Sequence, residues 1–309
     1  MSFFKGQKVV VTGGAGFLGS HLVDQLITIG ADVVVVDDLR HNVYLNKHAQ
    51  YLRLDAGNER ALVPAFKGAF AVFNLAAHVA GVIYNQANHL EMYHQNERVQ
   101  IAPVLAAQSA GVERFLQVSS VCVYAPGYNA PAIETNGWEG EPVAANNGYS
   151  WAKRMGERAA LWSTIPHPVI VRPSNLYGPR DDFGERCHVI PAIIKKTLHD
   201  PIVRLNGTGQ ERREFLYVED AAQGLIAAMA NGDPGHTYNL AGRFRVDMRT
   251  LAHCVQAAAG IEKSIEFAAI YDAGDNARWS DDDTFPVRRI QTPSEIGLAN
   301  TIAWYKEHR

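Results

Sequence analysis

The sequence feature that most constrains the fold is a set of three glycines, each three residues from the next, close to the start of the chain. Residues 8–12 form a continuous apolar run that predicts a strand buried on both faces, and Gly13, Gly16 and Gly19 follow it as a helical pattern begins. Gly13 allows a tight turn, Gly16 lets a ligand approach the backbone, and Gly19 lets the helix pack closely on the strand. The arrangement predicts a binding site for the diphosphate of a dinucleotide, formed by Gly13, Gly16, Phe17, Leu18 and Gly19.

The first half of the chain alternates short β-branched segments with longer helical patterns. Residues 33–36, 71–75 and 114–119 predict buried strands, and stretches of helix length separate them. Such alternation implies parallel strands joined by right-handed crossovers. The predicted fold class is therefore α/β, with a doubly wound parallel sheet of the Rossmann type.

The pattern changes after residues 169–173, where Gly, Pro and charged residues interrupt shorter elements. This change predicts a smaller α+β domain over residues 173–309. Residues 1–172 are expected to form the sheet domain, and later segments, at about residues 214–242, are expected to return to it.

Composition excludes several classes of protein. The chain has 29 Lys and Arg residues against 32 Asp and Glu residues, and a net charge of −3 does not favour binding to nucleic acid or to an acidic membrane. Three widely spaced cysteines, at positions 122, 187 and 254, form neither a disulfide framework nor a CxxC metal site, so a reducing cytoplasm is the expected compartment. No apolar run approaches the roughly 18 residues of a membrane helix, and no His, Cys and carboxylate spacing predicts a metal site.

Acidic residues at the ends of two predicted strands indicate which dinucleotide binds. Asp37 ends the second strand, where its carboxylate is placed to accept hydrogen bonds from the adenosine ribose, and Asp38 follows it. Arg40 is close enough in sequence to hold a 2′-phosphate, but Asp37 would repel that group, so NAD is favoured over NADP. Asp55 ends a short strand and either reaches the adenine or caps the turn that follows it.

A tyrosine and a lysine occur four residues apart in a later helical segment. Tyr149 and Lys153 lie one turn apart on the same helix face. An ammonium beside a phenol lowers the pKa of the phenol, which can then act as a base near neutral pH. Ser120 lies at the end of a predicted central strand, where ligands bind in such sheets. If the strand stays extended, Ser120 and Cys122 share a face.

Five motifs occur along the chain in an order that carries a family resemblance. They are Gly13-x-x-Gly16-x-x-Gly19, Asn74-Leu75-Ala76-Ala77, Ser119-Ser120-x-x-x-Tyr124, Tyr149-x-x-x-Lys153 and the segment from Arg172 to Pro179, and the segment from Arg213 to Asp220 adds a sixth match. Together they resemble the extended short-chain dehydrogenase/reductase family, the NAD-dependent nucleotide-sugar epimerases and dehydratases. The resemblance implies that Ser120 binds the reacting sugar hydroxyl, Tyr149 is the base and Lys153 holds the nicotinamide ribose. It also implies a cofactor contact at Ala76 and an Asn96 that supports the surroundings of Lys153.

The same resemblance implies the chemistry. A sugar carbon, most often C4, is oxidised by NAD while Tyr149 takes the hydroxyl proton, and the resulting ketone makes the hydrogens on C3 and C5 acidic. The segment Ser120-x-Cys122-x-Tyr124 resembles two subfamilies, the GDP-mannose 3,5-epimerases and the GDP-fucose synthases, which use a Cys here in epimerisation. His188 falls where the fucose synthases place their acid. Cys122 and His188 are thus the expected acid/base pair, with a buried apolar role as the alternative for the thiol.

The resemblance also implies a nucleotide-diphosphate sugar as substrate, bound by residues 173–309. Asn175 resembles the family residue that donates to the diphosphate, and Arg213 and Arg278 resemble the two arginines that clamp it. A surface ion pair is the alternative role for each arginine. A homodimer is expected, formed by helices near residues 85–108 and 149–164.

The leading hypothesis is an NAD-dependent nucleotide-sugar epimerase that inverts C3, C5 or both. Simple inversion at C4, which needs only Ser120, Tyr149 and NAD, is the first alternative. A 4-keto-sugar reductase that consumes NADPH is the second. Dehydratases of the family carry an Asp-Glu pair where this chain has Val121 and Cys122, which argues against dehydration. A non-catalytic dinucleotide-sensing scaffold would not need the Ser120, Tyr149 and Lys153 set.

Overall fold

The computed structural model describes residues 3–40, 43–127, 131–185, 187–268, 277–288 and 291–308. Its strands are β1 (Lys8–Thr12), β2 (Asp32–Asp37), β3 (Gln50–Arg53), β4 (Ala71–Asn74), β5 (Arg114–Val118), β6 (His167–Pro173), β7 (Asn175–Tyr177), β8 (Val203–Asn206), β9 (Arg212–Tyr217), β10 (Thr237–Leu240), β11 (Phe244–Asp247), β12 (Ile265–Ala268) and β13 (Ala277–Arg278). Its α-helices are α1 (Phe17–Thr28), α2 (Glu59–Phe66), α3 (Val82–Ala87), α4 (His89–Ala110), α5 (Asn147–Trp162), α6 (Val189–His199), α7 (Val218–Asn231), α8 (Met248–Ala259) and α9 (Ser294–Glu307).

A parallel sheet dominates the described residues, with seven strands in the order β10-β6-β5-β4-β1-β2-β3. The chain runs outward from β1 to β3 and then returns to the other side of β1 as β4. The direction of winding therefore reverses between β1 and β4, where Thr12 and Asn74 are register partners at the carboxyl ends. In doubly wound sheets this crevice is the ligand site, and the predicted Rossmann-type α/β fold is confirmed.

Both faces of the sheet are covered by helices, which explains the continuous apolar run of β1. Val9 and Val11 face one side and pack in a cluster with Leu22 of α1 and with residues of α7. Val10 faces the other side and packs in a cluster with Leu62 of α2 and with residues of α4 and α5. All three valines have no exposed surface, as expected for a central parallel strand.

The second half of the chain forms smaller sheets around a third cluster. β9 pairs with β11 in antiparallel fashion and with β7 and β13 in parallel, and β12 pairs with β8. Phe215 of β9 belongs to the same cluster as Ile193 of α6, Leu251 of α8 and Ile302 of α9. In contrast, β10 returns to the edge of the large sheet beside β6, and α7 packs on its face.

β9 continues directly into α7. The strand ends at Tyr217 and the helix begins at Val218. Glu219 and Asp220 lie in the first turn of α7, where carboxylates interact favourably with the positive end of the helix dipole. The helix therefore begins before these acids.

Within the described part of the chain, no helix has both the length and the apolar character needed to cross a membrane. The same residues contain no group of three or more His, Cys, Asp or Glu side chains placed to hold a metal ion.

Candidate active site

The glycine turn lies against the loop that follows β4. Gly13 has a φ of +67°, and a Cβ on it would lie 2.9 Å from both the amide N and the Cα of Ala76. A Cβ on Gly19 would overlap the carbonyl oxygen of Gly13. Gly16 is the N-cap of α1, where a Cβ would meet nothing closer than 3.5 Å. Gly13 and Gly19 thus allow close contacts between the turn and neighbouring parts of the protein. Gly16, Phe17 and Leu18 are instead partly exposed at the helix start, where a diphosphate fits.

The carboxylate of Asp37 lies over this turn. Its Oδ2 accepts a hydrogen bond from the Ala15 amide at 3.1 Å, and its Oδ1 accepts one from the Leu39 amide at 2.9 Å. Burial raises the pKa of Asp37, and these two hydrogen bonds oppose that effect. Asp38 pairs with Arg40 at 3.5 Å instead. The acid at the turn and the pairing of Arg40 both suit an unphosphorylated ribose.

Asp55 lies two residues after the end of β3, and its carboxylate already has partners in the protein. Its Oδ1 accepts a hydrogen bond from the Gly57 amide at 2.8 Å, and its Oδ2 pairs with Arg98 at 2.6 Å. Burial opposes ionisation, but these hydrogen bonds outweigh it and lower the pKa of Asp55. The structure thus shows that Asp55 caps the turn at Gly57, and the contact of Asp55 with adenine stays a prediction.

The chain after β5 does not stay extended. The strand ends at Val118, and residues 121–123 form a short 3₁₀ turn with Ser120 as its N-cap. The Ser120 hydroxyl accepts a hydrogen bond from the Cys122 amide at 3.1 Å. The expectation that strand alternation puts Ser120 and Cys122 on one face is therefore wrong. The turn places the Cys122 amide against the Ser120 hydroxyl instead, and both residues remain partly exposed.

Tyr149 and Lys153 occupy the first two turns of α5, beside this 3₁₀ turn. The Lys153 Nζ lies 5.6 Å from the centre of the Tyr149 ring. Burial and the neighbouring Cys122 raise the pKa of Tyr149, while a hydrogen bond with Ser120 lowers it. The expected net lowering of the phenol pKa is therefore wrong for this arrangement of protein groups. Ser120 and Cys122 nevertheless both lie close enough to Tyr149 to affect its pKa, and all three residues are partly exposed.

Lys153 is almost completely buried, at 2% exposure. Burial lowers its pKa to about 7, and the negative charge of Glu157 opposes that shift. Its ammonium donates to the Val118 carbonyl at 2.8 Å and to Oε1 of Gln100 at 3.1 Å. Lys153 therefore changes its charge close to neutral pH.

Asn96 does not support Lys153. Its Nδ2 donates to the carbonyls of His78 and Met92, and its Oδ1 accepts from the His78 amide at 2.9 Å. It fixes the loop after β4 to α4. The expected support of Lys153 comes from Gln100, one turn further along α4, which sequence reasoning missed. Asn74 and Gln117 are polar residues within apolar strands. Because buried amides require hydrogen-bond partners, these two residues could have indicated a buried polar network that includes Gln100.

A second missed feature is a buried ion pair behind the site. Glu157 and Arg172 are both about fully buried, and their closest atoms are 2.6 Å apart. The Ser119 hydroxyl also donates to Glu157. Glu157 follows Tyr149 and Lys153 on the same face of α5. The pair thereby ties the helix that carries these residues to β6 and to the residue next to Ser120.

His188 is the N-cap of α6, and its partner in the structure is Asp181 rather than Cys122. The His188 Nδ1 lies 3.8 Å from Oδ1 of Asp181, a buried carboxylate. Burial lowers the pKa of His188, but the hydrogen bond and charge of Asp181 outweigh it and raise the pKa overall. His188 thus lies at the start of α6, beside a carboxylate that favours its charged form.

The three predicted diphosphate-binding residues lie on neighbouring strands. Asn175 on β7 donates from Nδ2 to the Glu214 carbonyl at 2.8 Å. Arg213 on β9 donates to the Arg212 carbonyl at 2.7 Å. The backbone of Arg278 in β13 is the register partner of Arg213, while the Arg278 side chain lies outside the described part of the structure. The fold therefore makes the two arginines cross-strand neighbours.

Comparisons with known proteins identify the family of the chain. The family model described as "NAD dependent epimerase/dehydratase family" matches residues 9–241. A dTDP-glucose 4,6-dehydratase of Streptomyces griseus is 31% identical, with 97% of this chain and 94% of that protein covered. A probable GDP-L-fucose synthase of Oryza sativa subsp. japonica is 28% identical, with 98% and 93% covered.

The solved structures add a match of fold. A UDP-glucose 4-epimerase of Thermotoga maritima superposes with a TM-score of 0.87 at 24% identity, over 97% of this chain and 99% of that one. The matched family segment contains the glycine turn, Asp37 and both residues of the Tyr149–Lys153 pair. The expected extended short-chain dehydrogenase/reductase relationship is confirmed: the chain belongs to the NAD dependent epimerase/dehydratase family, and its cofactor is NAD.

Proposed function

We propose that the chain is an epimerase of nucleotide-diphosphate sugars that works through a transient 4-keto sugar. The observation that carries the proposal is the grouping of Ser120, Cys122 and Tyr149 at one accessible place, with Lys153 buried behind them. A hydroxyl, a thiol and a phenol together supply groups that move protons at oxygen and at carbon.

In the first step, Ser120 holds the sugar 4-hydroxyl while Tyr149 takes its proton. NAD, when bound on the glycine turn, supplies the two-electron oxidant. Because burial raises the pKa of Tyr149, the phenol needs a nearby positive charge to act as a base near neutral pH. Lys153 is the protein group placed to supply this positive charge. It carries the charge when protonated, below its pKa of about 7.

In the second step, a proton leaves the carbon beside the ketone. Cys122 removes a proton from C3 or C5, and His188 returns one to the opposite face. The neighbouring Asp181 favours protonated His188, which suits the acid of the pair. Tyr149 then returns its proton to O4 as C4 is reduced again, so substrate and product have the same oxidation state.

The substrate is held by its diphosphate. Arg213 and Arg278 are register partners on adjacent strands, and a pair of guanidinium groups suits the oxygens of two linked phosphates. Asn175 on β7 lies on the other side of β9 from β11 and belongs to the same sheet.

The proposal is tested with purified protein, a set of GDP-, UDP- and dTDP-sugars, and NMR in deuterated water. Deuterium at C3 or C5 of the recovered sugar is the expected result. Inversion at C4 without deuterium would identify a 4-epimerase, loss of water from the sugar a dehydratase, and stoichiometric use of NADPH a reductase. Each of these three results would overturn the proposal.

Two variants separate the proposed steps. Cys122→Ala is expected to abolish deuterium exchange while the 4-keto sugar still forms, seen as a transient NADH absorbance. Tyr149→Phe is expected to lower both rates by about 10²–10⁴-fold, since it removes the acid/base group of the first step. Cys254→Ala, on α8 away from these residues, is the control and is expected to leave both rates unchanged.

We also propose that two copies associate through α4 and α5. Leu90, Tyr93 and Leu105 of α4 and Trp162 of α5 are large apolar side chains left exposed, Trp162 by 76%. Exposed apolar side chains on two packed helices favour association with a like surface. Light scattering of the purified protein is expected to give twice the chain mass, and Trp162→Glu together with Leu105→Glu is expected to give the chain mass.

A further inference from the structure

A closed ring of buried hydrogen bonds connects the glycine turn to Gln100. The Thr12 hydroxyl donates to Oδ1 of Asn74 at 2.5 Å, and Nδ2 of Asn74 donates to Oε1 of Gln117 at 3.0 Å. Nε2 of Gln117 donates to Oε1 of Gln100, whose own Nε2 donates to the Ala76 carbonyl at 2.9 Å. The Ala76 amide donates back to the Thr12 hydroxyl at 3.3 Å.

Lys153 fixes the direction of this ring. A lysine ammonium can only donate, so Gln100 must present its oxygen to Lys153 and its amino group to Ala76. Gln117 must then present its amino group to Gln100 and its oxygen to Asn74. The four side chains of the ring, at Thr12, Asn74, Gln100 and Gln117, have no exposed surface. Each alternative amide orientation would therefore leave a buried donor facing a donor or a buried acceptor facing an acceptor.

The ring also includes the backbone that shapes the cofactor cradle. Thr12 is the residue before Gly13, and Ala76 is the residue that a Cβ on Gly13 would strike. The same two residues are bridged by the Thr12 hydroxyl. The ring thus connects β1 and the loop after β4, through Gln100, to Lys153.

The geometry points to Gln100 as a positioning residue that sets the place and protonation of Lys153 and links both to the cofactor cradle. This inference rests on the proposed role of Lys153. Gln100 acts through the ammonium of Lys153, which donates a hydrogen bond to it. Its Oε1 is shared by Lys153 and Gln117, so a replacement that lacks the oxygen removes an acceptor from the charged form of Lys153.

Four other groups face Lys153 and must be kept constant in a test. Glu157 and Tyr149 face it from its own helix, Cys122 faces it from the 3₁₀ turn, and the Val118 carbonyl faces it from β5. Gln100 faces it from α4. Substitutions confined to position 100 leave all four in place.

The test uses Gln100→Leu and Gln100→Glu, with Gln108→Leu as the matched control. Gln108 lies two turns further along α4, is exposed, and accepts a hydrogen bond from the Thr164 amide. NMR titration of ¹³C-lysine-labelled full-length protein, assigned with Lys153→Met, gives the pKa of Lys153 directly. Calorimetric titration with NAD and the pH profile of kcat are the second and third measurements.

Loss of the acceptor in Gln100→Leu is expected to lower the Lys153 pKa by about one unit, and the carboxylate of Gln100→Glu is expected to raise it. The Kd for NAD is expected to rise about 10-fold or more in Gln100→Leu, since the Ala76 carbonyl loses its donor. The alkaline limit of the kcat profile is expected to follow the Lys153 pKa in both variants, while the KM for the sugar stays unchanged.

A purely structural role would lower the melting temperature of both variants and leave the Lys153 titration at its original pKa, which would overturn the inference. If Gln100→Leu does not fold, the upward shift in Gln100→Glu decides the question alone. The NMR titration needs no turnover, so failure to find a sugar substrate overturns the proposed function and not this inference.

Discussion

Glu157 accepts two hydrogen bonds from Arg172, from Nε at 2.8 Å and from Nη2 at 2.6 Å, and neither side chain is more than 1% exposed. Arg172 also donates to the Tyr124 hydroxyl at 3.0 Å and to the Glu134 carbonyl at 2.7 Å. The pair joins α5 to β6 and leaves Lys153 with a carboxylate one helical turn away. A residue pair outside the accessible site therefore organises the elements that build it.

The first prediction concerns this pair. Arg172→Met is expected to lower the free energy of unfolding by about 3–5 kcal/mol, because it leaves the Glu157 carboxylate buried without its partner. The double variant Arg172→Met with Glu157→Leu is expected to regain most of that loss. Urea unfolding measures both. Arg204→Met, which removes an exposed pair with Glu266 at 3.0 Å, is the control and is expected to cost less than about 1 kcal/mol. Equal losses for Arg172→Met and Arg204→Met would contradict the prediction.

The second prediction concerns acid sensitivity. Burial lowers the pKa of His21 to about 4, and its Nε2 lies 3.0 Å from the Pro179 carbonyl. Between pH 6.5 and 4 the unfolded chain binds a proton at His21 that the folded chain does not, so stability falls as the pH falls, by about 3 kcal/mol in all. His21→Gln is expected to flatten this dependence in urea unfolding at a series of pH values. Replacing the exposed His48 with Gln should leave the dependence as it is in the original protein.

The third prediction concerns the stability of the protein at alkaline pH. The pKa of Lys153 is lowered to about 7 in the folded protein by burial, whereas an unfolded lysine keeps its proton to about pH 10. From pH 7 to 9.5 the unfolded chain therefore binds more protons, and stability rises with pH by up to about 1.4 kcal/mol per unit. Lys153→Met is expected to lose this rise in protein freed of dinucleotide. Parallel stability curves for the two proteins over this range would show that Lys153 stays charged.

The fourth prediction separates two glycines of the turn. Gly19→Ala is expected to lower both stability, by about 1–3 kcal/mol, and affinity for NAD, because its Cβ overlaps the Gly13 carbonyl. Gly16→Ala is expected to leave stability unchanged, since its Cβ meets only an ordinary contact at 3.5 Å, but to weaken NAD binding by blocking close approach. Thermal unfolding and calorimetric titration measure the two effects. A stability loss in Gly16→Ala equal to that in Gly19→Ala would refute the distinction.

Features set by local pattern could be predicted from the sequence. The apolar run before Gly13, the glycine spacing and the acid at the end of β2 involve residues close together in the chain, and the structure places Asp37 at the Ala15 amide. The parallel sheet also follows from local patterns, because strands separated by helix-length segments leave few arrangements.

Features that depend on distant partners could not be predicted. Gln100, rather than Asn96, reaches Lys153 because of where α4 crosses α5, which no local pattern records. The 3₁₀ turn after β5 replaces an extended strand because the Ser120 hydroxyl binds the Cys122 amide. The raised pKa of Tyr149 depends on how deeply the phenol is enclosed.

The edge strand β10 comes from residues beyond 236, yet it hydrogen-bonds along β6 within the cofactor-binding sheet. A fragment cut after residue 172 would expose the free edge of β6, and such an edge recruits other chains into aggregates. Exchange of residues 173–309 with those of a relative at a single crossover would break the sheet in the same way. A working chimera needs junctions on both sides of residues 237–240.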